Sequence, residues 1–280
     1  MDKFIIGGDP EFFARNTKTK EFVSLIPYIK GTKVRPESIK VKGCFQLKDN
    51  VGVEFNMPPV PEYWMLKLII DECIDYTNEW LKEIDPDLKL EISSIGRFSE
   101  KDLDNDEAMQ FGCEPAYSVY KNGDVVYRPS PYEIGDLRTA SYHIHYGWEE
   151  KYSKEQLYKF LVLNDIFLGV PALFLDKDDL IRKKLYGSLS EHRIKTNKNT
   201  IYENITEANR VEYRTLGAGI HNFPGFVENG INLVRKHANN LDYFIDLYYD
   251  DLVELDNDLT NQEVLNNLVT KLKKNGHWNG

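Results

Sequence analysis

The chain has 280 residues, 35 of them basic and 45 acidic, for a formal charge of −10, which argues against a surface devoted to duplex nucleic acid or anionic lipid. Its length suits one large sheet-based domain over 1–280, with a helical C-terminal part from about residue 222. Cys44, Cys73 and Cys113 are odd in number and widely spaced, so neither a disulfide framework nor a CxxC metal site is expected, and a reducing cytoplasm fits best.

Lys3 to Ile6 opens as a strand rather than as a basic region with an apolar core, and no apolar run reaches transmembrane length. A soluble protein without a secretion signal is the expectation. The segment Phe4 to Phe13 carries Asp9 and Glu11 two residues apart, on one face if the strand persists through Pro10. Pro10 makes it an edge or bulged strand, or marks a loop turn at Asp9-Pro10. Two carboxylates this close repel unless a cation sits between them. Phe22 to Ile26 offers a short strand, and Cys44 to Met57 a hairpin turning at Lys48-Asp49-Asn50. There Glu54 and Asn56 lie opposite Val53 and Phe55, and Glu54 serves either a site or the solvent side. Apolar residues from Leu66 to Ile84 recur at helical spacing, so a helix over about 62–84 backs the sheet.

Leu88 to Ile95 alternates as a strand, and 98–111 reads as a polar loop. Ala116 to Tyr120 pairs with Val125 to Tyr127 through Lys121-Asn122-Gly123-Asp124. Glu114, just before, is either a site acid or a surface carboxylate. In Ser141 to Trp148, His143-Ile144-His145 places both imidazoles on one face, suited to metal ligation or to hydrogen-bonding a phosphate. A capping box, Ser153 to Gln156, starts a second backing helix that runs to about Phe174. The charged run from Asp176 leads to Arg182 and Arg193, which act as anion clamps or, for Arg182 especially, belong to a solvated face. Asn197 to Asn209 is polar and irregular, a candidate lid.

The most charged strand is Arg210-Val211-Glu212-Tyr213-Arg214. Alternation puts Arg210, Glu212 and Arg214 on one side. Such a face lines a cleft holding a cation and phosphate oxygens, or is an exposed salt-bridged strand. A helix over about 223–249 follows, then one opened by a capping box at Thr260 to Glu263, with 276–280 fraying. The sequence contains no repeat, Walker loop or dinucleotide fingerprint.

Taken in order, Gly8-Asp9-Pro10-Glu11-Phe12-Phe13, Val53-Glu54-Phe55-Asn56, His143-Ile144-His145, the segment Arg182, Tyr186-Gly187, Arg193, and Arg210 to Arg214 resemble the carboxylate-amine ligase superfamily of glutamine synthetase and glutamate-cysteine ligase. The likeness is greatest to its bacteriophage-type branch, the COOH.NH2 ligase-type 2 amidoligases. The resemblance spans about Ile5 to Leu216. It implies an α+β, glutamine synthetase-like catalytic domain: a curved, mainly antiparallel sheet forms a cleft, and helices cover its outer face. It also implies ATP-dependent formation of an amide bond between a small-molecule or peptide carboxylate and an amine through an acyl phosphate. Mg2+, or Mn2+, falls to Asp9, Glu11, Glu54, Glu212 and His145, with Asp49 standing in for a further acid. His143, His145, Arg182, Arg193 and Arg214 fall to nucleotide and substrate anions, and Arg193, Arg210 and Arg214 to catalysis. A guanidino-kinase-like phosphotransferase and a catalytically silent scaffold are the alternatives. A cytoplasmic location, the host's if phage-encoded, goes with all three.

Overall fold

The computed structural model of the chain describes residues 1–110, 116–126, 128–195 and 205–278. Strand β1 (Ile5–Gly8) stops at Asp9-Pro10 and β2 (Glu11–Asn16) begins beyond it. Pro10 has no N–H for a ladder, so the single strand expected there divides. Strands β3 (Phe22–Val23) and β4 (Glu37–Ser38) are two-residue pieces. Strands β5 (Phe45–Asp49) and β6 (Gly52–Asn56) form a hairpin, followed by helix α1 (Tyr63–Ile84). Next come β7 (Leu88–Glu91), β8 (Ile95–Arg97), a single turn α2 (Glu100–Leu103), β9 (Tyr117–Ser118), a single turn α3 (Pro131–Ile134), β10 (Leu137–Thr139) and β11 (Ile144–Ser153). Helix α4 (Lys154–Asn164) passes through a π-helical turn into α5 (Val170–Leu175), then α6 (Lys177–Lys183), β12 (Glu191–Ile194) and β13 (Glu207–Tyr213). Helices α7 (Pro224–His237), α8 (Leu241–Asn257) and α9 (Gln262–Lys274) come last.

The fold is mixed α and β, and its antiparallel strands curl strongly into a half-barrel. One sheet has the order β1-β11-β13-β12-β9; a second has β3-β2-β6-β5-β4 with β7 also on β2; β8 and β10 make a two-stranded ribbon. The curved antiparallel arrangement that the resemblance implies is present, built from two larger hydrogen-bonded sheets that meet at Asp9-Pro10. There Glu11 N donates to Ser141 O at 2.9 Å and Phe55 N to Pro10 O at 3.1 Å.

Helices cover one side. Alternation on β11 turns Tyr146 and Trp148 away from the histidines and onto α4, where both rings meet Phe160 edge-on, at 4.9 and 5.0 Å. Lys154–Leu175 is long and apolar enough to cross a membrane, yet 83% of its apolar window is buried inside the molecule. Its stripe is spent on the core. Helix α1 packs on β7 and β1, while α7 and α8 pack on α4.

Several local expectations change. The helix expected over 223–249 is α7 and α8, broken at Asn239-Asn240, two residues of low helix propensity. Asn261 rather than Thr260 caps α9, accepting from the N–H groups of Glu263 and Val264. Residues 276–278 do not fray: Tyr248 OH and His277 Nδ1 are 2.8 Å apart, and Trp278 lies 5.4 Å from Phe174. The strand expected over 22–26 keeps two residues, and that over 88–95 becomes β7 and the separate β8. The hairpin after Ala116 reduces to β9, a 3-10 turn and one bridge from Tyr117 to Val125. Cys113, Glu114, Tyr127 and 196–204 lie outside the described residues.

Candidate active site

Register builds the site. Across the first sheet Gly7 faces His145, His145 faces Glu212, and Glu212 faces Arg193, so these residues form one row on the concave face. Asp9, leaving β1, reaches the same place. Ligand atoms of Asp9, His145 and Glu212 lie within 4.8 Å of one another. In the second sheet Glu11 faces Glu54 and Glu54 faces Leu47. The β5–β6 turn falls at Asn50-Val51, not at 48–50, because Asn50 takes the left-handed conformation at φ 51°. That keeps Asp49 in its strand, two residues from Leu47, and Glu11, Asp49 and Glu54 form a second group with ligand atoms within 4.8 Å.

The first group is enclosed by cations and imidazoles. His143 Nδ1 lies 3.0 Å from Asp9 Oδ1, and His145 Nε2 lies 3.2 Å from the same oxygen. Lys195 Nζ is 2.7 Å and Arg193 Nη1 3.6 Å from Glu212, and Arg214 Nη1 donates to Glu212 Oε1. Burial works to raise the Asp9 carboxyl, but the two imidazoles outweigh it and hold Asp9 well below the usual range. Burial and the Arg214 charge push the His143 imidazole well down despite Asp9. His143 therefore carries its proton on Nδ1, facing the carboxylate, and leaves Nε2 to accept from Tyr186 OH at 3.2 Å. Burial opposes the Lys195 charge, but Glu212 and Asp9 raise it above the ordinary lysine value.

The second group is poor in countercharge. Lys33 Nζ is 3.3 Å from Asp49 and 3.9 Å from Glu54. Burial, then the Asp49 charge, raise Glu11 to about 8, and burial with Asp9 and Asp49 takes Glu54 well above normal. Three carboxylates against one ammonium are what a divalent cation neutralises. The first group shows its own fit in its donor set, two carboxylates and an imidazole with ligand atoms within 4.8 Å of one another.

Of the expected site residues, the structure gathers Asp9, Glu11, Glu54, Glu212, His143, His145, Arg193 and Arg214. Arg210 stands opposite Gly147, exposed at the outer end of the Glu212 face. Arg182 is not brought in. Its guanidinium is fully buried and donates to Asp179 at 3.0 Å, Thr215 O at 2.9 Å, Arg214 O at 3.2 Å and Ser141 Oγ at 2.9 Å, so it clamps the exit of β13. Lys195, Lys33 and Arg128 join unannounced. Lys195 follows Arg193 at strand alternation, a signal the sequence does carry; Lys33 and Arg128 sit in irregular chain and give none. No protein-family model matches the chain, and no curated protein is similar enough to count as a match.

Proposed function

We propose that the protein is an ATP-dependent ligase that joins a carboxylate to an amine, on a glutamine synthetase-like domain that uses Mg2+ or Mn2+. The supporting observation is the pair of adjoining acid groups in one concavity, bordered by Arg193, Lys195 and Arg210. Oxygen-rich ligands with one imidazole suit Mg2+ or Mn2+. Asp9, His145 and Glu212 would hold one ion and Glu11, Asp49 and Glu54 another, and such ions supply positive charge to phosphate oxygens.

A carboxylate is a poor electrophile. One of its oxygens takes the γ-phosphoryl group of ATP, ADP leaves, and an acyl phosphate results. The amine nitrogen then attacks the carbonyl carbon, phosphate departs with the electron pair, and the nitrogen loses a proton. Both steps gather negative charge, so the protein's part is positioning and fixed positive potential. Arg193 and Arg210 take phosphoryl oxygens. Arg214 orients Glu212, and His143 orients Asp9.

Millimolar Mg-ATP should raise the melting temperature, as a ligand of the native state must, and a screen of amino acids and amines should find a pair that drives ADP release. A stable phosphorylated product formed without an amine would replace the ligase by a phosphotransferase. No shift with Mg-ATP would sink the enzyme reading in favour of a scaffold.

A further inference from the structure

A narrow cavity of about 50 Å3 opens beside the second acid group, room for a few waters or a short organic chain. Glu11 and Asp49 stand at one part of its lining, and Phe13, Ile134 and Leu185 are apolar wall. Arg128 lines it too. The Arg128 guanidinium lies 3.9 Å from the Tyr186 ring centroid, and its Nη2 donates to buried Glu191 at 2.6 Å. Its Nε and Nη1 are buried and find no hydrogen-bond partner among the described residues. Donors of a buried cation left unmade are costly unless a ligand completes them.

Arg138 reinforces the point. It is buried in the same lining and spends its donors on neutral acceptors: Asn50 Oδ1, the carbonyls of Gly135, Leu137 and Ala108, and Met109 Sδ. No carboxylate among the described residues lies within bonding distance of it, so its charge favours an anion in the cavity. Arg182, which packs against the same Tyr186 ring at 5.1 Å, has its Nη1 and Nη2 committed to protein acceptors.

We propose that Arg128, in place of Arg182, anchors a small carboxylic acid in this cavity. The acid's carboxylate sits on the Arg128 guanidinium and its chain lies along the apolar wall towards Glu11 and Asp49. That this acid is the one activated rests on the ligase reading; the binding site itself does not.

The test uses the full chain with Mg2+ present. Common amino acids and short mono- and dicarboxylic acids are each compared with the matching primary amide by melting temperature, and the best acid is measured by calorimetry. The acid should stabilise and its amide should not. Arg128→Gln should weaken that acid about tenfold or more, with Arg128→Lys between, because a charge-assisted contact is lost. Mn2+ affinity, read by electron paramagnetic resonance, should stay unchanged in Arg128→Gln. Ile134→Trp, which fills the cavity from a partly exposed position and leaves Arg128 in place, should also abolish acid binding. Failure of every acid to outdo its amide, or full affinity in Arg128→Gln, overturns the site. Acid binding through Arg128 without Mg-ATP binding keeps the site and dismisses the ligase; acid-dependent ADP release that survives Arg128→Gln does the reverse.

Discussion

Glu11→Gln gives the most direct measure of how the second acid group is held. The carboxyl of Glu11 is buried beside Asp49 and raised from 4.5 to about 8. A folded-state value above the unfolded one means that the native protein holds the proton more tightly. That stability is present at low pH and is lost as pH rises through the folded value. Relative to the fully ionised state, the bound proton is worth on the order of 2–3 kcal/mol at pH 6 and well under 1 kcal/mol at pH 8. Without divalent cations, the wild-type protein should therefore lose roughly 2 kcal/mol over that interval through this group. Glutamine cannot ionise, so Glu11→Gln should lack that component. His143, held neutral in the fold, contributes an opposite slope near pH 6, but it is common to both proteins and cancels in the comparison. Urea unfolding at pH 6 and 8 with chelator, then with millimolar Mn2+, supplies the data. Added cation should recover the wild-type loss at pH 8 and help the variant less. Equal slopes in the two proteins, or a cation effect of the same size in both, would refute the picture of three crowded carboxylates awaiting a counterion.

Phe160→Ala should cost about 3–5 kcal/mol, because the ring meets Phe4, Tyr146 and Trp148 at once; Trp148 fluorescence should shift even below the unfolding midpoint. Tyr213→Phe removes one of three donors on buried Asp165, leaving Tyr120 OH and Ser190 N. It should cost about 1 kcal/mol by chemical denaturation. Gly187 sits at φ 77° with Arg182 Nη1 only 2.2 Å from where a Cβ would stand. Gly187→Ala should lose more than about 2 kcal/mol, and an unchanged melting temperature would show that the Arg182 clamp is not rigid.

The strands that carry chemistry were legible because their charges alternate: period two is local, and Glu212 with Arg214, or His143 with His145, share a face wherever the strand goes. The turn read at Lys48-Asp49-Asn50 falls instead at Asn50-Val51, with Asn50 in the left-handed conformation and Asp49 still paired in its strand, and one residue of register decides which side a carboxylate joins. Arg182 looked like a clamp for anions because charge alone does not say whether a guanidinium meets solvent or two backbone carbonyls, a carboxylate and a hydroxyl. Arg128 gave no signal at all. Its neighbours Tyr186 and Glu191 are distant in sequence, so only folding reveals that it is held. The two-sheet construction was hidden for the same reason, apart from the hint left by Pro10.

That proline has a mechanical consequence. Asp9 follows the edge strand β1 of one sheet and Glu11 begins the inner strand β2 of the other, with a ring of fixed φ between them. A sliding movement of one sheet over the other must then alter the gap between the two acid groups. The dipeptide acts as a gauge block: remote changes that loosen α1 against β1 and β7 would be felt as altered spacing between the two carboxylate groups, with no residue of either group touched.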